Sequence, residues 1–250
     1  SDIKSSTQKK PYFIWSVQRN KGLEEVIDIW INDINPKYKK FKLFIFGINK
    51  TNLGKYNLKK LKVGHAGTLD PLATGLLIVC SGKKTKEISK YQNLKKTYLA
   101  TIKLGNITES FDRETAEINQ KDYKKVPIKK IKNFINFFLG EQIQIPPKFS
   151  AIKVNGKRAY EKARNNEKFK INPRKVIIYS LVIKKIDLPF ISFEVECSKG
   201  TYIRTLASDI GKYLGCGAYL YDLKRLSIGQ YHVDSSFGME SFKIFLDELE

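Results

Sequence analysis

The sequence predicts an α+β fold in which a mixed, mostly antiparallel sheet is flanked by helices. Three observations carry that prediction. Stretches with two-residue alternation crowd into the chain at 98–104, 175–186 and 191–197. Stretches with helical periodicity lie among them, at 23–34, 127–139 and 202–214. No internal repeat and no linker-like segment divides the 250 residues, a length that suits one domain with a full core.

In chain order, residues 1–10 are polar and lack an apolar core, which makes them a tail and not a secretory signal. A region of strand and helix covers 10–35, where Leu23, Val26, Ile27, Trp30, Ile31 and Ile34 keep helical spacing ahead of Pro36. The Lys- and Asn-rich stretch 35–61, built around Phe41–Ile48, reads as an insertion or a basic surface segment. A core over 62–235 opens with a turn-rich loop, Lys62 to Gly75, that feeds an apolar strand Leu76–Cys80 and a short helix near Thr85–Leu94. Tyr98, Ala100, Ile102 and Leu104 alternate with Leu99, Thr101 and Lys103 as a strand does. Pro127 opens a helix whose apolar face is Ile128, Ile131, Phe134, Ile135, Phe138 and Leu139, with Gly140 closing it. Lys175–Ile186 and Ile191–Cys197 predict an antiparallel pair of strands. The helix 202–214 buries Ile203, Leu206, Ala207, Ile210 and Leu214, and Gly215 stops it. A last helix over 238–250 uses Phe242, Phe245, Leu246 and Leu249.

Composition narrows the function. Lys and Arg number 46 against 25 Asp and Glu, a formal net charge of +21, and Arg occurs only at 19, 113, 158, 164, 174, 204 and 225. With 42% hydrophobic residues the chain can offset the entropy of folding, so it is no disordered polycation. No apolar run reaches the roughly 18–20 residues that cross a bilayer, and no membrane partner is expected. A folded domain with this charge attracts polyanions, nucleic acids among them. The coding bias of an AT-rich genome toward Lys, Asn and Ile is the other source of the same charge, and charge alone does not choose between them. Three Cys (80, 197, 216) without a C-x-x-C argue against a disulfide framework or a zinc site.

Cofactor and hydrolase signatures fail one by one. Gly215-Cys-Gly217 does not continue to a third Gly, and Leu77 stands where a phosphate-binding loop before Gly82-Lys83 needs Gly. His65 and His232 are the only histidines, and neither has a nucleophile or ligand set at a useful spacing. The loop 64–75 is different, with three glycines, Pro71 and a single carboxylate, Asp70. Glycines at this density allow close approach of the backbone to something. Asp70, extended because Pro71 follows, can project its side chain; it can also do no more than close a turn.

Four ordered blocks decide how that loop is read. Gly64-His-Ala-Gly-Thr-Leu-Asp-Pro-Leu-Ala-Thr-Gly75 is the first, and Lys96-Thr-Tyr98 with Leu104-Gly105, Thr108 and Asp112 is the second. Pro146-Pro147, Ser150-Ala151, Lys153, Gly156-Lys157, Tyr160-Glu161 and Ala163-Arg164 form the third. Cys197-Ser-Lys-Gly-Thr-Tyr-Ile-Arg-Thr205, then Leu214-Gly-Cys-Gly-Ala218, Leu223 and Arg225, form the fourth. Over about residues 60–230 the chain resembles the TruB-type tRNA pseudouridine synthases.

The resemblance implies a pseudouridine-synthase-like fold and the isomerisation of uridine to pseudouridine at uridine 55, in the T arm of tRNA. The target base would be flipped out, with neither metal nor cofactor. Asp70 is then the catalytic residue, acting at the ribose C1′ or on its neighbouring proton, and ionised in either case. A carboxylate covered by a base needs a cationic partner, which the family pattern puts at Arg204. Tyr98 would stack on the uracil and serve in removing the C5 proton. His65 and Gly67 would lie near the flipped base, Leu223 would line the uracil pocket, and Lys199, Lys153 and Arg225 would contact phosphates. The plainer readings are a core Tyr98 and Leu223, a turn His65, and cations that are only solvated.

Three departures from the family stand out. Arg19-Asn20-Lys21-Gly22 replaces the usual DKP-x-G, residues 35–61 are longer, and no small C-terminal RNA-binding domain of the bacterial kind is expected after 238–250. The expected partner is tRNA, engaged by a monomer inside the cell, in the cytoplasm or an organelle. A catalytically silent tRNA-binding or folding module on the same scaffold is the alternative, and it would be marked by loss of Asp70 or Arg204.

Overall fold

The computed structural model describes residues 15–17, 63–165 and 167–235. The helix expected at 23–34, the stretch 35–61 and the helix expected at 238–250 lie outside the described residues. Contacts divide the chain into two units.

The first unit takes residues 1–69, 74–92 and 230–250. Its strands include β1 (Trp15–Val17), β2 (Val63–His65), β3 (Thr74–Leu77) and β4 (Val79–Ser81). A 3₁₀ turn over Gly82–Glu87 leads into α1 (Ile88–Asn93), which supplies the expected short helix and reaches the edge of the unit. β1 pairs antiparallel with β3, and β2 with β4. The single strand expected over Leu76–Cys80 is therefore two, interrupted at Ile78, whose carbonyl accepts from Ala66 N at 2.8 Å. Leu76, Leu77, Ile78 and Cys80 are all buried, so the run carries no alternation that could have marked the break.

The second unit takes residues 70–73 and 93–229. It contains β5 (Lys96–Leu104), α2 (Ile128–Phe138), β6 (Gly140–Gln144), β7 (Lys153–Val154), β8 (Lys157–Arg158) and α3 (Ala159–Arg164). β9 (Arg174–Asp187), β10 (Phe190–Cys197), α4 (Ile203–Leu214) and β11 (Ala218–Ile228) complete it. The strands run β11-β5-β10-β9-β6 across the sheet, each pair antiparallel. The predicted pairing of the strands at 175–186 and 191–197 is thus found, with Phe190 opposite Asp187.

One face of this sheet makes the core. Ile191, Phe193, Val195 and Cys197 alternate inward along β10, beside Ala100, Ile102 and Leu104 of β5. α2 and α4 cover them, with Phe134 edge-on to Phe193 at 6.0 Å between ring centroids. Every predicted core residue of α4 is buried. The buried stripe of α2 is narrower than expected and consists of Ile131, Phe134 and Phe138. Ile128 and Leu139, at its two ends, are 47% and 40% exposed.

Two local features hold α4 in place. Tyr202 caps its start without a side-chain bond of its own, and the buried amide of Gln144 on β6 substitutes: Oε1 accepts from Tyr202 N at 2.9 Å and Nε2 donates to Tyr202 O at 3.3 Å. At the other end Gly215 takes the left-handed conformation, φ 88°, and closes the helix as the sequence predicts. Gly211 lets that last turn lie against the chain entering β11, since a Cβ there would come within 2.0 Å of Ala218 N.

Candidate active site

Asp70 begins a tight turn. Its carbonyl accepts from Ala73 N at 2.9 Å, Pro71 follows, and Leu72 is sunk into the core of the second unit at 4% exposure. Both readings of the Asp-Pro step therefore hold: the backbone closes the turn while the side chain projects from it. The carboxylate meets Arg204, the second residue of α4, in a two-pronged pair. Nε donates to Oδ2 at 2.9 Å and Nη2 to Oδ1 at 2.7 Å. Arg204 is 3% exposed and the Asp70 side chain 26%, so the acid has an open side and the guanidinium has none.

A second acid backs Arg204. Asp112 is fully buried, and its Oδ2 lies 3.5 Å from Arg204 Nη1, which also donates to Ser110 O at 3.3 Å. Ser110 Oγ and Glu114 N both donate to Asp112 Oδ1, at 2.6 and 2.9 Å. Thr108 Oγ1 donates to Asp112 O at 2.6 Å. Phe111 between them has φ 62°, a left-handed conformation that costs a bulky residue about 1 kcal/mol or more. Leu220 N of β11 holds the strained segment by donating to Phe111 O at 2.9 Å.

Burial is the larger influence on Asp70 and raises its pKa above the ordinary 3.8, while the Arg204 charge and hydrogen bond pull it back. Tyr98 of β5 is close enough to feel the Asp70 charge, and burial raises its pKa as well. Arg225, directly across from Tyr98 on β11, opposes that rise. Lys96, 6% exposed, donates to Leu94 O at 2.6 Å; burial first and Arg225 second lower its pKa to about 8. A carboxyl with one open side, a fixed guanidinium and a phenol nearby can, when the carboxyl is ionised, act on a sugar carbon and on a ring proton.

Residues 55–203 match the N-terminal domain of the TruB family pseudouridylate synthases, and residues 204–248 match the tRNA pseudouridylate synthase B C-terminal domain. The chain belongs to the TruB family. Among similar proteins, the tRNA pseudouridine synthase B of Parabacteroides distasonis is 47% identical over 78% of this chain and 83% of its own length. That of Flavobacterium johnsoniae is 47% identical over 81% of this chain and 86% of its own. The one from Clostridium tetani is longer: 45% identity covers 72% of this chain and 62% of the relative. A chain in the solved Cbf5-Nop10-Gar1 complex shares the fold, with a TM-score of 0.58 and 25% identity over 84% of this chain and 56% of that one.

The TruB block residues are distributed unevenly. Asp70, Tyr98 and Arg204 come together in the second unit, as the resemblance implies. His65, on β2 opposite Val79, and Gly67, at φ 107°, belong to the first unit. Leu223 is 3% exposed within the hydrophobic core, opposite Ala100. Lys199 is exposed and donates to Asn93 Oδ1 at 2.8 Å. Lys153 is exposed on the hairpin β7–β8, opposite Arg158. Arg225 is the correction. Expected among the phosphate contacts, it is 1% exposed, because it points into the site from an inward position of β11.

Sequence reasoning also left Asp112 and Lys96 without roles, although both stand in the second TruB block. Their signal was present: a charged residue at an inward strand position or in a serine- and threonine-rich turn demands a partner.

Proposed function

We propose that this TruB-family chain converts uridine to pseudouridine in the T arm of tRNA, at uridine 55. The observation that carries the reading is the two-pronged pair between Asp70 and a fully sequestered Arg204, in a loop whose sequence is that of the family. Arg204 favours the ionised carboxylate against burial and aims it, while the open side of Asp70 receives the flipped nucleotide. In the net reaction the N1–C1′ bond breaks, a C5–C1′ bond forms, and one proton moves from C5 to N1. Asp70 acts at C1′ or on its neighbouring proton, and Tyr98 takes the C5 proton.

Binding falls to exposed cations. The hairpin and helix from Lys153 to Arg164 present Lys153, Lys157, Arg158 and Arg164 to solvent against one glutamate, Glu161, in the same stretch. Lys199 adds to them. Leu223 is assigned to the flipped base. All of Asp70, Tyr98, Asp112, Arg204 and Arg225 come from one chain, which supports action as a monomer, inside the cell where tRNA is found. Light scattering with and without tRNA checks the stoichiometry.

The decisive assay follows tritium released from C5 of uridine in tRNA. Wild type is expected to release it, and Asp70→Asn to bind tRNA without release. Equal release by the two proteins would refute the role of Asp70. Undiminished release from a transcript whose other uridines alone carry the label, with cytidine at position 55, would refute the position.

A further inference from the structure

We infer that Arg225 positions the Tyr98 hydroxyl, so that the site contains two arginine-held groups instead of one. The inference rests on the reading of Tyr98 as acceptor of the C5 proton. The antiparallel register sets Arg225 of β11 directly opposite Tyr98 of β5, and opposed residues leave a sheet on the same face. That face is the inner one, since Leu223 and Arg225 are buried while Asp222 and Lys224 are exposed. Irregularities on both sides of this stretch, between Leu220 and Asp222 and between Arg225 and Ser227, set the alignment locally.

Arg225 heads the bulkiest fully buried side chains among the described residues, at 1% exposure. A guanidinium so placed keeps its charge and must direct its donors at protein acceptors. The Tyr98 side chain, opposite it on the same inner face, carries such an acceptor. The charged and titratable groups that act on Tyr98 are Arg225 on β11, Cys197 on β10 and Asp70 on its turn. Cys197, also buried, has its pKa pushed up to about 12 and remains a neutral thiol, which leaves Arg225 as the cation of the set.

The chemistry places a demand on that oxygen late in the reaction. Once C5 has bonded to C1′ it still carries its hydrogen. The C5 proton passes to the phenolic oxygen and the C5–H electron pair forms the C5–C6 double bond. The π pair between C6 and N1 moves to N1, which takes a proton from water, and the phenol gives its own proton to water. A guanidinium N–H on the phenolic oxygen fixes its direction and steadies the negative charge as that proton leaves.

The test uses the full chain and a tRNA transcript with deuterium at C5 of uridine, under single turnover. Arg225→Gln is expected to slow the reaction about tenfold or more, with tRNA affinity within about twofold of wild type. It is also expected to raise the C5 isotope effect above that of wild type. Arg225→Lys keeps the buried charge without the planar fork; it is expected to melt near wild type and to show a smaller slowing with a raised isotope effect. A slowed reaction with the wild-type isotope effect in both variants, or a loss carried by tRNA affinity, overturns the inference. Tyr98→Phe separates the two readings. If its isotope effect stays at the wild-type value, the proton-taking role of Tyr98 itself falls; if it rises while those of both Arg225 variants do not, only Arg225 does.

Discussion

At Asp70, burial pushes the pKa up, Arg204 pulls it down, and burial prevails, with Asp112 and Glu114 adding to the rise. Activity that needs the ionised form therefore rises with pH, and its acid limb lies above the ordinary carboxylate value of 3.8. Arg204→Lys, which replaces the fork with a point charge, is expected to move that limb to higher pH; a pH profile of single-turnover rates checks it, and an unmoved limb contradicts the account. Arg204→Gln leaves Asp70 and the fully buried Asp112 without their shared cation, and is expected to cost about 3–5 kcal/mol near neutral pH. The sign with pH follows from linkage. A carboxyl whose folded pKa is raised, as that of Asp70 is, takes up a proton more readily folded than unfolded, so its ionised form weakens the fold. The cost of Arg204→Gln should shrink as pH falls through that raised value, which denaturant midpoints at several pH values would show.

Among the elements, α4 and β11 do most to build the site, and they differ in how visible they are in the sequence. α4 has an unbroken apolar stripe from Ile203 to Leu214 and a glycine stop, so the chain announces it. β11 is an 11-residue strand that the alternation hides. Its irregularities move the inward positions to Leu220, Leu223, Arg225 and Ile228, with Asp222 and Lys224 outside, so the two-residue period is broken along the strand and survives only in short pieces. The hairpin β7–β8 has a plain local mark: Asn155 and Gly156 have φ of 51° and 82°, the pattern that an Asn-Gly turn takes. The close approach of α4 to the entry of β11 gives a sharp test. Gly211→Ala would drive a Cβ into the backbone at Ala218 and Gly217, and should cost about 3 kcal/mol while displacing Arg204 and slowing turnover. A wild-type melting temperature in that variant would show the approach to be adjustable.

For the whole molecule, the net charge of +21 finds a use in the proposed tRNA partner without revealing the chemistry. If about five phosphates are engaged, the logarithm of affinity should fall against the logarithm of salt with a slope near −4. Lys153→Glu with Lys157→Glu is expected to weaken binding and flatten that slope, leaving the rate at saturating tRNA unchanged; filter binding across a salt series reads both. Asp70 and Arg204 were visible beforehand only through the resemblance, because 134 residues separate them and no local pattern links them. Charge density, by contrast, was plain from composition and pointed to no particular residue.

The burial of two arginines also sets where this chain is free to change. Among the six described arginines, Arg204 and Arg225 are closed to solvent, while Arg113, Arg158 and Arg164 are exposed and Arg174 is half-buried. Arg113, Arg164 and Arg174 lie over the rings of Tyr221, Tyr160 and Tyr202, contacts that an ammonium can make nearly as well. In a lysine-rich background, drift from arginine to lysine is therefore nearly silent at four positions and damaging at two. A chain carrying lysine at 113, 158, 164 and 174 should fold and turn over much as this one does. Of its three remaining arginines, Arg19, Arg204 and Arg225, the last two would be those of the proposed reaction centre.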